Sequence, residues 1–306
     1  MYYPIFRGKL NELLALRELA ILDIEKRFCP VIEPVKNSFS PLIKTIEVLN
    51  ANGIEPLIIL NPSVGDLKNN SESIQKILSN TKNIKFTPTF IVENSIEDIE
   101  PFIKNFENYA FFLKGGLDQS IIDKSQNALL TFINSDISPG RLKQLNNVIL
   151  YGDFFKRQKK NADYPKESVF SELHTYYSDY SNVVGFGDYS ITGEEYSESG
   201  GPAYVVTIHM SYINQEKFNE LYIRHYSSKS DGTPSNPGKK FLEALELFVN
   251  DYQSQDNYVS FIETEGVRQF LSLHESSHFP GLGQVKKISI LHHTETINDY
   301  LINNEN

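Results

Sequence analysis

The chain has 306 residues, 40% of them hydrophobic, a length and apolar content that suit one large α/β barrel with a full core. A formal net charge of -10 argues against sequence-independent nucleic-acid binding, which depends on neutralising phosphates with Lys and Arg. A single cysteine, Cys29, excludes an internal disulfide and, lying before an apolar run, reads as a buried structural thiol.

Eight short apolar runs follow in order, most closing on a polar or charged residue. They are Tyr3–Arg7, Pro30–Glu33, Pro56–Asn61, Thr89–Glu93, Phe111–Lys114, Val148–Asp153, Val183–Asp188 and Tyr204–His209. Uninterrupted apolar runs mark strands of a parallel sheet covered on both faces. Between them lie helix signals. Leu10 to Arg27 is rich in helix formers, Ser40-Pro41 caps a segment that stops at Asn52-Gly53, and Ser71 and Ser95 each precede an acidic first turn. Asp118 to Ile133, Pro139 to Leu145, Ser168 to Tyr180 and Gly238 to Tyr252 read as further helices. This alternation predicts a (β/α)8 TIM-type barrel, with an open doubly wound sheet as the alternative.

Two places break the rhythm. A Gly-bearing loop from Tyr189 to Pro202 replaces a helix, and Leu221 to Tyr226 adds a strand that makes a hairpin after the last barrel strand. Both are expected on the strand-carboxyl side, where barrels carry their sites. The whole chain, 1–306, is read as one domain, with a barrel core over about 1–252 and a C-terminal cap over 253–306. No basic stretch followed by an apolar leader opens the sequence, and no window reaches membrane-spanning length, so a cytoplasmic protein with no membrane partner is expected.

Closure of those strands would gather Arg7, Lys9, Glu33, Lys36, Asn61, Lys114, Asp153, Asp188 and His209 at one mouth. Arg and Lys together fix phosphate or carboxylate groups. Glu33, Asp153 and Asp188 are candidate catalytic carboxylates that offer a Mg²⁺ cofactor ligands or divide acid from base, with His209 as acid/base. Arg7, Lys9, Lys36, Asn61 and Lys114 are the ligand-binding candidates there, joined by Tyr212 of the tyrosine-rich last strands, with an anionic small molecule or nucleotide as partner. His225, the serines after it and Lys240 form a second anion-binding candidate ahead of a helix. No P-loop signature accompanies it. The run Lys156–Lys160 reads as a solvated basic segment, and the tyrosine-rich stretch of Tyr176 to Tyr226 reads as core-edge packing or an interface. His274-Glu275-Ser276-Ser277-His278 matches the H-E-x-x-H metal pattern, with Glu295, His292 or His293 as a third ligand, but Phe279-Pro280-Gly281 would end the helix that pattern needs.

The opening Tyr3-Pro4-Ile5-Phe6-Arg7-Gly8-Lys9 with Glu12 and Ala15-Leu16, then Ile32-Glu33-Pro34-Val35-Lys36, resembles the "beta protein" family of bacteria and phages. Gly187-Asp188-Tyr189, Gly201-Pro202-Ala203-Tyr204, His209-Met210-Ser211-Tyr212, Lys240-Phe241 and His292-His293 extend the resemblance over nearly the whole chain. Lys286-Lys287 departs from it, standing where the family pattern has a Trp-Arg pair. The resemblance implies a barrel acting in phage–host conflict, sometimes beside a nuclease-like protein partner, and supplies no reaction. The expected function is therefore binding of a phosphorylated or anionic ligand at the mouth, with phosphodiester-type hydrolysis if it is an enzyme. The alternative is a non-catalytic sensor that controls a nuclease-like effector.

Overall fold

The computed structural model describes residues 1–68, 70–198, 200–254 and 260–304. The chain divides into two compact units: Met1–Asp153 with Tyr176–Tyr189, and Phe154–Thr175 with Ser190–Asn306.

The first unit is a closed barrel of eight parallel strands, a (β/α)8 fold. Seven of them are β1 (Tyr2–Phe6), β2 (Val31–Ile32), β3 (Leu57–Ile59), β4 (Thr87–Val92), β5 (Ala110–Leu113), β6 (Leu130–Asn134) and β7 (Val148–Gly152). β8 (Glu167–Ser171) belongs to the second unit, and β9 (Val183–Asp188) closes the barrel between β7 and β1. The helices between the barrel strands are α1 (Leu10–Ile21), α2 (Ser40–Ala51), α3 (Ser71–Asn80), α4 (Glu100–Ile103), α5 (Gln119–Ser125) and α6 (Pro139–Leu142). Alternate residues point inward, so Tyr3, Ile5, Val31, Leu57, Ile59, Ile91, Ala110, Phe112, Phe132, Ile149 and Tyr151 pack as one core. Phe112 is its centre, 5.5 Å from the Phe132 ring and 4.4 Å from Tyr151.

The second unit holds a three-stranded antiparallel sheet in the order β10–β11–β8, with β10 (Thr207–Asn214) and β11 (Glu220–Ser227) forming the hairpin. α7 (Leu173–Tyr176) follows β8, and α8 (Pro237–Gln253), α9 (Glu265–Glu275) and α10 (Leu282–Asn304) complete the helices. Ile208, Met210 and Tyr226 face Phe241, Leu245, Phe248, Val267, Phe270 and Ile288 in a second core.

Three sequence expectations are corrected. Leu130 to Ile133 is a strand: α5 stops at Ser125, and the buried Thr131-Phe132-Ile133 stretch fills the sheet. Ser168 to Tyr180 is not a helix but β8 followed by short helical turns. The run taken for the eighth barrel strand begins at Thr207 and pairs antiparallel with β11. The reason lies in its pattern. Ile208, Met210 and Tyr212 alternate with Thr207, His209 and Ser211, the signature of a sheet with two unlike faces. In the Tyr189–Pro202 loop, Ser199 lies outside the described residues, as do 255–259 of the C-terminal segment.

Candidate functional site at the barrel mouth

At or just past the strand ends, the inward alternation reaches Arg7, Glu33, Asn61, Glu93, Lys114, Asn134, Asp153 and Tyr189. Their environments differ. Arg7 and Glu33 are buried and form an ion pair and hydrogen bond. The other oxygen of Glu33, Oε1, accepts from the backbone N–H of Ser63 at 2.7 Å and from its hydroxyl at 2.9 Å. The Arg7 guanidinium carbon lies 5.1 Å from the Tyr189 ring centroid, a cation–π contact that fixes the plane of the fork. Glu12 in α1 accepts the Arg7 N–H at 2.8 Å and the Lys9 N–H at 3.3 Å, which ties the β1–α1 turn to the first helical turn.

The Ser63 contact depends on a close approach of two mouth loops. Gly65 has φ +79°, and a Cβ there would lie 2.5 Å from the Val35 carbonyl oxygen. Only glycine lets the loop after β3 lie against the loop after β2, where Asp66 N–H donates to Val35 O at 2.9 Å. Lys36 on that loop pairs with Asp66 at 3.5 Å on the exposed rim.

The remaining candidates separate clearly. Asn61 spends its amide on the backbone of β4, donating to Ile91 O and accepting from Ile91 N–H, both at 2.8 Å, so it extends the ladder. Lys114 is half-buried with its Nζ 6.0 Å from the Phe112 ring, and Asp153 is exposed at the end of β7. Asp188 does not face the mouth. It lies on the opposite side of β9 from the inward Tyr189, buried, and accepts from the Tyr2 hydroxyl at 2.8 Å. Burial, then the Asp188 carboxylate, pushes the Tyr2 hydroxyl well up. Asp188 is thus a wall residue.

His209, Tyr212, His225 and Lys240 belong to the second unit. Tyr212 is buried and donates to Glu167 at 3.1 Å. Lys240 is buried and ties two loops, bonding Ala203 O at 3.2 Å, Thr233 O, and Asp231 at 2.9 Å. His209 and His225 meet side by side across β10 and β11. The metal candidates are also accounted for. α9 ends at Glu275, so His278 is off the helix, and His274 bonds Glu246 at 2.6 Å; the H-E-x-x-H geometry is not formed. The consecutive His292 and His293 of α10 grip one residue of β10, with His292 on the Ser211 carbonyl oxygen and His293 on its hydroxyl, both at 2.7 Å. No cluster of three or more His, Cys, Asp or Glu able to hold a metal ion occurs among the described residues. No helix is long and apolar enough to cross a membrane among those residues.

Sequence reading finds Arg7 and Glu33 because each directly follows an apolar run. Ser63 and the stacking role of Tyr189 escape it, since both arise from loop closure. Comparisons with family models, with curated proteins and with solved structures gave no match.

Proposed function

We propose that the barrel belongs to an anti-phage defence protein and holds a small phosphorylated or otherwise anionic ligand at the carboxyl ends of its strands. The defence setting rests on the resemblance to the "beta protein" family. The ligand class rests on one observation: Arg7 is buried at the mouth with its guanidinium oriented beforehand by Glu33 and Tyr189. A buried ion pair is a poor stabiliser compared with apolar packing, so its presence at strand ends suits recognition better than folding. Lys114 supplies a second cation, and exposed Asp153 is a carboxylate at the mouth that could activate water if the ligand is hydrolysed.

The test is a thermal-shift and calorimetric screen of nucleotides, cyclic nucleotides and sugar phosphates. The wild type should gain stability with one class, and the double variant Arg7→Met, Glu33→Gln should fold yet lose that gain. Failure of every phosphorylated compound to bind the wild type would refute the ligand class.

A sensor that controls a nuclease-like effector is the second reading, favoured by Phe218. That side chain is 88% exposed at the tip of the β10–β11 hairpin, on a backbone with φ +53°. An exposed aromatic in the left-handed region is disfavoured on both counts and suits a docking contact. Phe218→Ser should leave the thermal midpoint unchanged while abolishing binding of a nuclease-like partner that the wild type captures.

A further inference from the structure

Outside the barrel mouth, the second unit lines up a hydroxyl and two imidazoles. Ser168 Oγ lies 2.9 Å from His225 Nε2, and His225 Nδ1 lies 2.8 Å from His209 Nδ1. Two tautomer assignments satisfy both contacts, and catalysis uses the one in which the Ser168 hydroxyl donates. If the Ser168 hydroxyl donates, His225 Nε2 accepts and its proton sits on Nδ1. That N–H then donates to His209 Nδ1, which leaves the His209 proton on Nε2. Nucleophile, base and orienting group thus follow one another at hydrogen-bond distance, the arrangement that activates a serine.

The rings are held from the side. Tyr164 stacks on His225 with centroids 4.8 Å apart, and Phe155 and Tyr164 meet His209 edge-on at 5.1 and 4.7 Å. The nucleophile is reachable. Ser168 is half-buried on β8, a strand at the sheet edge. Phe170, further along the same strand, is buried and packs against Phe154 at 5.8 Å and His293 at 4.9 Å, so the strand beyond the serine is anchored in aromatic surroundings.

We propose that Ser168, His225 and His209 form a second, acyl-transfer site that cleaves carboxylic esters bearing an apolar acyl group, with Ser168 as nucleophile, His225 as base and His209 as a positioning residue. Ser168 Oγ bonds to the ester carbonyl carbon while its proton passes to His225 Nε2. The C–O bond to the alcohol then breaks, and the alcohol leaves with that proton. Water, deprotonated by His225, attacks the acyl-serine, frees the carboxylic acid and restores the hydroxyl. A neutral imidazole in the third position fixes the tautomer but offers no negative charge to the imidazolium, so turnover is slow compared with a carboxylate-bearing triad.

The test is labelling of the full chain with a fluorophosphonate, read by intact mass and peptide mapping. The serine oxygen displaces fluoride from phosphorus, and the hydroxyl proton leaves with it. One adduct on Ser168 is expected in the folded protein and none in urea or in S168A. His225→Gln should slow labelling by about 100-fold. His209→Gln, whose amide oxygen still accepts from His225, should keep the wild-type rate, whereas His209→Leu of equal thermal midpoint should not. No adduct on Ser168 in the folded wild type, or equal labelling in urea, overturns the proposal.

Discussion

Arg7 and Glu33 are two charges taken out of water together, and each makes the other tolerable. Removing one leaves the other buried and uncompensated, so Arg7→Ala should cost about 3–5 kcal/mol. The paired replacement Arg7→Met, Glu33→Gln should cost far less, because the glutamine oxygen still accepts from Ser63. Urea unfolding of both variants checks the ordering. The histidines set a pH limit in the same way. Burial pushes both His225 and His292 down to about 4, and burial followed by His225 and Lys286 holds His209 well below its usual value. The unfolded chain therefore binds more protons between about pH 6.5 and pH 4, and stability falls as pH drops through that window. At about 1.4 kcal/mol per pH unit, His225 and His292 each contribute roughly 3 kcal/mol, fully present near neutrality. A thermal midpoint that stayed flat from pH 7 to about pH 4 would contradict this.

At the scale of elements, legibility followed pattern contrast. β1 to β5, β7 and β9 are uninterrupted apolar runs between turn signals, and each was readable. β6 was not, because no Gly or Pro separates it from the helix formers of α5. β10 was visible as a strand but assigned to the wrong sheet, since a single run does not reveal its neighbour. Half the mouth was likewise legible. Strand-end residues announce themselves, while Ser63 reaches Glu33 only through a loop approach, and Asp188 points the other way for want of a one-residue shift in register. α9 and α10 depend on another close approach. A Cβ on Gly266 would lie 2.8 Å from both the Ile288 carbonyl oxygen and the His292 nitrogen. Because those are backbone atoms of a buried helix, Gly266→Ala should cost about 1–3 kcal/mol. Glu295, whose carboxyl is raised by burial, accepts from the Glu265 and Gly266 N–H groups at the same crossing, so that substitution should also weaken this cap.

At the scale of the molecule, the chain leaves the barrel after Asp153, contributes β8 to the second sheet, and returns to supply β9. The units are therefore interleaved in sequence. A fragment ending at Asp153 lacks the strand that joins β7 to β1, and should aggregate rather than fold; circular dichroism and gel filtration would show it. A fragment of 190–306 lacks β8, leaving β11 unpaired on one side, and should fare no better.

The same excursion sets a clock on biosynthesis. At about 5–20 residues per second, translation from Asp153 to Tyr189 takes roughly 2–7 s. For an interval of that length after β7 emerges from the ribosome, β7 and β1 present bare hydrogen-bonding edges, because β9 follows only after the excursion into the second unit. For those seconds the nascent chain is open to edge-to-edge pairing with its neighbours on the polysome, a hazard that a barrel made from one unbroken run of strands would meet more briefly.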